Sequence, residues 1–394
     1  MDTSKVVLSR VRIDRIRAGC RPSDQQELLL RAALFSGDAA LDAWRKWRGL
    51  VGRDLRHLDM GSFGLIPMLY RNLSLLGVQD PLMDRFKGIF RRTWYQNQTL
   101  LHGCARALEA LQAAGLGVLM MDGVPVVMND YQDLGLRPMD GFDILVRIGQ
   151  AEKAIHVLSS LDWKPSGIRI EKLSPGFLNA GHTLRFNKGS SLTCDLHWRF
   201  MPDRFGPIDD AALWEAAVPL YVRGVRIHAL GKADQLLRAC ALTIGRIGSP
   251  HIQWIADAVV VLRRAIVRID WNRLISLAQR YHVTLKAYSA LFYLRQYMDV
   301  AIPEDVLRQF ENIPISDPER RMFDATLHKN KLIGSLEHSW LNYRAYAAEY
   351  EKSFSPFRLP GFLEYLRLRR GHDSRWDTLR WAVSSYLLPG SKPV

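Results

Sequence analysis

Cysteine is scarce in this chain, with four in 394 residues, at Cys20, Cys104, Cys194 and Cys240. None lies close to another, which excludes a zinc-finger or disulfide framework, and reduced thiols are the expectation. No run of about 18 apolar residues occurs, so no transmembrane helix is expected. Residues 1–21 carry Lys5, Arg10, Arg12, Arg15, Arg17 and Arg21 but no continuous apolar stretch. They do not read as a signal peptide, and a cytoplasmic location is expected. No Walker loop, Rossmann fingerprint or Ser-His-Asp set is found. Gly61-Ser62-Phe63-Gly64 is a fragment with no strand before it. Short repeats and low-complexity tracts are absent. Acid is in deficit too: 40 Asp and Glu against 54 Lys and Arg give a net charge of +14. That balance suits acidic partners such as nucleotides, nucleic acid or anionic membrane. Charge alone is weak evidence, and nucleic acid is the less favoured partner.

What is present centres on Val118–Val146. Val118-Leu119-Met120-Met121 is a short apolar run that suits a buried strand. Asp122-Gly123 breaks it, and Val124-Pro125 opens a short helix, with Pro in its favoured first turn. Residues 133–138 read as loop, and Met139–Val146 as a second strand. Backbone N–H groups at a Gly turn and helix start can hold phosphate oxygens. Carboxylates on the adjoining strand can hold Mg²⁺, which takes one or two carboxylates plus substrate phosphates.

Around this segment the chain divides into five parts. Residues 1–22 form a basic tail. Residues 23–115 form an N-terminal helical region, opened by the capping box Ser23-Asp24-Gln25-Gln26. Its last helix, over 82–114, carries Leu101, Cys104, Ala105, Leu108 and Leu111 as an apolar stripe and stops at Gly115. Residues 116–230 form the α/β core. There Ile168–Glu171 reads as a strand, and His182–Phe186 and Leu192–Trp198 as a hairpin. Alternation places Asp195 and His197 on one face. Residues 231–354 read as successive helices over 233–247, 252–266, 271–281, 284–297 and 303–310. Residues 355–394 form a basic, aromatic helical tail whose Tyr365, Trp376, Trp381 and Tyr386 are expected to pack on the body.

Gly123, Tyr131, Gly135-Leu136-Arg137-Pro138-Met139, Asp143 and Leu145-Val146, followed later by Asp195-Leu196-His197-Trp198-Arg199, resemble the signature of bacterial nucleotidyltransferase-like proteins of the polymerase-beta type. The resemblance runs from roughly Leu28 to the end and includes Trp254 and Asp257. It implies an α/β (α+β) mixed sheet flanked by N- and C-terminal helical regions. It further implies transfer of a nucleoside monophosphate from an NTP, with Mg²⁺, to an acceptor the sequence does not name, whether small molecule, peptide or protein. Gly123 and Arg137 would then contact nucleotide phosphates, although Arg137 can equally fix its loop. Asp143 and Asp195 would be the catalytic metal ligands.

Two positions depart from that family's pattern. Its Lys before the Gly is Asp122 here, and the first acid of its Asp-x-Asp pair is Gly141. On a regular strand, positions 141 and 143 share a face and Asp140 points away. Asp122, or Asp140 after a bulge, is therefore a candidate replacement ligand. Restoring the pair with Gly141→Asp is expected to complete a cation clamp, and Asp122→Lys to add to it. The alternative is a catalytically impaired nucleotide-binding or scaffold protein, a pseudoenzyme of the same fold.

Overall fold

The computed structural model describes residues 6–7, 21–52, 54–189, 191–207, 209–242, 252–265, 269–328, 330–350 and 359–387. Val6–Val7 (β1) pair antiparallel with Pro314–Ile315 (β9), so two residues of the expected basic tail are tied to the body. Helices α1 (Asp24–Leu34), α2 (Gly37–Val51), α3 (Met60–Gly64) and α4 (Ile66–Leu75) follow. The capping box of α1 forms in both directions, between Ser23 and Gln26.

Helix α5 (Met83–Ala113) is the long connector into the sheet. Gly115 ends it with φ 73°, a conformation that costs any residue with a Cβ. Leu116 N–H bonds the Leu111 carbonyl and Gly115 N–H bonds that of Gln112, the pairing of a Schellman cap. The chain therefore turns sharply into β2 (Leu119–Met121).

After β2 come α6 (Gly123–Val126), a π turn over Val127–Tyr131, β3 (Phe142–Leu145), α7 (Ala151–Ser160) and β4 (Lys164–Pro165). Next are α8 (Pro175–Ala180), β5 (Thr183–Lys188), β6 (Leu192–His197), α9 (Ala211–Glu215), β7 (Val218–Val222) and β8 (Val225–Ala229). Seven strands form one mixed sheet in the order β4-β5-β6-β3-β2-β8-β7. The segments read as strands around 118–121, 139–146 and 192–198 thus lie side by side. Ile168–Glu171 is not a strand: Ile170–Lys172 is a 3-10 turn.

Alternation decides the two faces of the sheet. Met120, Phe142, Ile144, Cys194 and Leu196 pack with Leu101, Cys104, Leu108 and Leu111 of α5 and Ile155 and Leu158 of α7. Each fully buried side chain of this kind contributes about 1.5–3 kcal/mol. Leu119, Met121 and Leu145 face the other way, into a core shared with the C-terminal helices. Cys104, Cys194 and Cys240 are buried, and Cys20 lies outside the described residues.

The C-terminal region holds α10 (Lys232–Leu242), α11 (Gln253–Ala265), α12 (Trp271–Arg280), α13 (Thr284–Tyr297), α14 (Glu304–Glu311), α15 (Asp317–Thr326) and α16 (Lys331–Tyr350). The expected continuations to 247 and 266 fall outside the described residues. Helices α17 (Leu359–Arg370) and α18 (Arg375–Leu387) are the last of the described residues, with Tyr365 buried against Tyr343 and Tyr346. Trp376, expected to pack inward, is 74% exposed. No described helix is long and apolar enough to cross a membrane.

Glu319 of α15 accepts the Leu285 N–H at 2.9 Å, capping the start of α13. Burial raises its carboxyl to about 7 from 4.5, against the lowering effect of the backbone bonds from Leu285 and Thr284. Between those values the folded chain holds a proton that the unfolded chain has released. Stability is therefore full below about pH 4.5 and falls as pH rises through 7, by about 3 kcal/mol. Glu319→Gln is expected to flatten that fall, as read from melting temperatures between pH 4.5 and 8.

Candidate active site

Strands β3 and β6 run parallel, with Asp143 opposite Asp195 and Leu145 opposite His197. Residues in register on neighbouring strands share a face. Asp143, Asp195 and His197 therefore stand on the sheet face that α5 leaves open. They line a cleft of about 1010 Å³, together with Asp122, Gly123, Arg137 and Asp140. The six residues singled out in the sequence for binding or catalysis are thus brought to one cavity.

Most of these acids already have a side-chain partner in the same chain. His197 Nε2 lies 3.0 Å from Asp143 Oδ1. The tautomer carrying its proton on Nε2 makes that bond, and Nδ1 is then a buried acceptor with no partner among the described residues. Burial pushes the Asp143 carboxyl up, against the His197 bond, and the charge of Asp122 adds to the rise. Arg185 grips both oxygens of Asp195, at 2.8 and 2.6 Å. Their side chains are 57% and 21% exposed. Asp140 is exposed and has no side-chain partner among the described residues.

Asp122 sits at the end of β2 with φ 54° and ψ −121°, a region costing a non-Gly residue roughly 1–3 kcal/mol. Arg238 of α10 holds its carboxylate at 2.8 and 3.0 Å and also donates to the Phe200 carbonyl. The Arg238 side chain is only 3% exposed. Burial opposes the Asp122 charge, yet Arg238 keeps the carboxyl below its ordinary value. As a replacement metal ligand Asp122 is poorly placed, because its charge is already spent on a buried partner.

Arg137 is committed in the same way. Its Nε and Nη2 clamp Asp257 at 2.8–3.1 Å, and Tyr131 Oη donates to the same carboxylate at 2.9 Å. A Cβ on Gly123 would meet Arg137 Nη1 at 2.7 Å. Gly123 is required there so that the guanidinium can cross the start of α6. The geometry matches the loop-fixing role. Asn97 of α5 completes the clamp, donating to the Leu134 and Arg137 carbonyls and accepting from Met139 N–H.

Sequence reading missed Asn97, Arg185, Arg238 and the buried triad of Asp203 with Lys286 and His338. For Asn97 and Arg238 a signal existed: each is a polar residue at a buried position of a helix. Arg185 stands opposite Asp195 in the expected hairpin, whereas the members of the triad come from distant segments and leave no trace in spacing.

The expectation for Gly141 needs correction. Residue 141 precedes β3, and a Cβ there would collide with Thr193 Oγ1 and lie 2.8 Å from the Thr193 carbonyl oxygen. That oxygen belongs to the neighbouring backbone, so a side chain at this cleft-lining position would press against β6. Gly141→Asp is therefore expected to destabilise by about 1–3 kcal/mol through overpacking and to give no gain in Mg²⁺ affinity. Thermal melts and Mg²⁺ titration of Gly141→Asp, alone and with Thr193→Ala, check both points.

Residues 62–299, more than half of the chain, match the family described as uncharacterised nucleotidyltransferase. The chain belongs to that family. The match takes in the whole cleft floor from Asp122 to Asp257 and ends within the C-terminal helices. It is narrower than the resemblance read from the sequence, which also took in α1 and the C-terminal tail. No curated protein matches this nucleotidyltransferase-family chain.

Proposed function

We propose that the cleft binds an NTP with a single Mg²⁺ held by Asp143 and Asp195, and that nucleotidyl transfer from it is slow. One observation carries this reading: the two carboxylates stand in register on the open sheet face, in the cleft that also contains Gly123. Mg²⁺ is satisfied by one or two carboxylates plus phosphates and water. The donor set fits one such ion. It does not fit a larger protein cage, since no cluster of three or more His, Cys, Asp or Glu among the described residues could hold a metal.

Bound there, Mg²⁺ would neutralise charge on the phosphoryl group and the leaving pyrophosphate. The protein's share is positioning. His197 fixes the orientation of Asp143. Arg185 releases Asp195 and turns to the phosphates; half-exposed ion pairs of this kind are worth only about 0–1 kcal/mol. Arg137 and Asp257 hold the loop that carries Met139 to Gly141. The missing acid at 141 and the anion at 122 both lower the drive for transfer.

The scaffold reading is favoured by a different observation, the partner already bound to each acid: a cation on Asp122, Asp195, Asp203 and Asp257, and the His197 imidazole on Asp143. Isothermal titration with ATP, GTP, CTP and UTP, with and without Mg²⁺, and a pyrophosphate-release assay separate the two. Mg²⁺-dependent binding with slow release is expected. No binding of any NTP leaves the scaffold. Robust release untouched by Asp143→Ala overturns the metal assignment.

A further inference from the structure

Helix α5 has two working sides. Its Arg92, Thr93 and Gln96 reach the wall of the cleft, and its apolar stripe is buried in the sheet. A third stripe, about 120° wide at helical spacing, carries Lys87, Arg91, Trp94, Tyr95, His102 and Arg106. All six are exposed, Trp94 by 46% and Tyr95 by 69%. In a protein that pairs its cleft acids so thoroughly, Lys87, Arg91 and Arg106 have no carboxylate partner among the described residues, although Asp84 and Glu109 lie on the same helix.

This stripe runs into a groove of about 680 Å³ beside the second half of α5. Arg106, Lys188 and Arg223 line it against one carboxylate, Glu109. Arg223 is the telling residue. It occupies the tip of the β7–β8 hairpin with φ 51°, followed by Gly224 with φ 87°. Such a two-residue turn favours Asn, Asp or Gly at its first central position. An arginine is held there at a conformational cost, and its side chain is delivered to the groove. Gln112 Nε2 bonds the Arg226 carbonyl at 2.7 Å, fixing the hairpin to the helix.

We infer that this face of α5, with its groove, binds single-stranded nucleic acid. Cations spaced along a line track a phosphate backbone, and exposed rings between them offer stacking platforms for bases. From Lys87 to Arg106 the helix rises about 28 Å at ~1.5 Å per residue, room for several nucleotides. The rings favour a strand with unstacked bases over an acidic peptide or a lipid surface, neither of which stacks on them. The stripe adjoins the cleft wall through Arg92 and Gln96, so a bound strand would pass the cleft mouth. The binding inference stands on the outside of α5 and is independent of the nucleotide chemistry proposed for the cleft.

Fluorescence anisotropy of labelled oligouridylate and oligothymidylate on the full chain tests it. Binding is expected to weaken with salt, with a log–log slope of about −0.7 per phosphate contact; five contacts lose roughly a hundredfold between about 50 and 200 mM. The triple variant Arg91→Glu/Arg106→Glu/Arg223→Glu should weaken binding at least tenfold and flatten the slope. Trp94→Ala/Tyr95→Ala should weaken it severalfold and leave the slope unchanged. Neither should alter NTP titrations, which separates this inference from the cleft reading. Arg→Gln versions of the same sites replace the charge reversals if those fail to fold. Absence of binding at low salt overturns the inference, as does indifference to the arginine variants. Equal binding of heparin with no effect of the aromatic pair overturns it in favour of a general polyanion surface.

Discussion

Asp143→Ala is expected to weaken Mg²⁺-dependent NTP binding on the order of a hundredfold, the upper end of what loss of even a supporting group costs a metal site. Metal-free nucleotide binding should change little. Asp143 and Asp195 are the two carboxylates in register on the open face among the described residues, and position 141 offers glycine. His197→Ala is expected to cost about tenfold, because the imidazole orients Asp143 without touching the ion. Arg185→Ala should move the other way and raise Mg²⁺ affinity, since it frees both oxygens of Asp195. Titration of Mg²⁺ against each variant at saturating NTP reads all three. An Asp143→Ala protein that binds Mg²⁺-NTP as tightly as the natural one would remove the site.

Arg238→Ala carries the largest expected effect on stability. The substitution strands the Asp122 carboxylate in a mostly buried place and takes a donor from the Phe200 carbonyl. Breaking a buried ion pair from one side costs about 3–5 kcal/mol. In a chain of this size that lowers the melting temperature by roughly 4–6 °C. Asp122→Asn/Arg238→Met removes both charges together and should recover much of the loss. Asp122→Lys, read from the sequence as a repair of the site, is instead expected to destabilise, because it sets a cation against Arg238. A fall of less than about 2 °C in Arg238→Ala would show that the pair does not hold the β2–α6 turn.

Much of the architecture was legible because it rests on local rules. Gly115, the stripe from Leu101 to Leu111 and the box at Ser23 are interactions within a few residues, and each formed as read. The strand pattern of 192–197 put Asp195 and His197 on one side because strand side chains alternate without exception of sequence distance. The reading of Ile168–Glu171 failed because a short apolar-polar run carries no information about whether a partner strand is within reach.

The site divides along the same line. The sequence by itself determined which acids exist, that Asp143 and Asp195 sit on strands, and that an expected acid is missing at 141. Tertiary structure alone decided which of those acids is free. Arg238 lies 116 residues from Asp122, Asp257 lies 120 from Arg137, and Arg185 reaches Asp195 only through the β5–β6 pairing. It also decided that a side chain at 141 would meet Thr193, so that glycine there is a packing requirement. Charge on a residue is a property of the chain; the partner that spends that charge is a property of the fold, because ion pairs act over a few ångströms regardless of separation along the sequence.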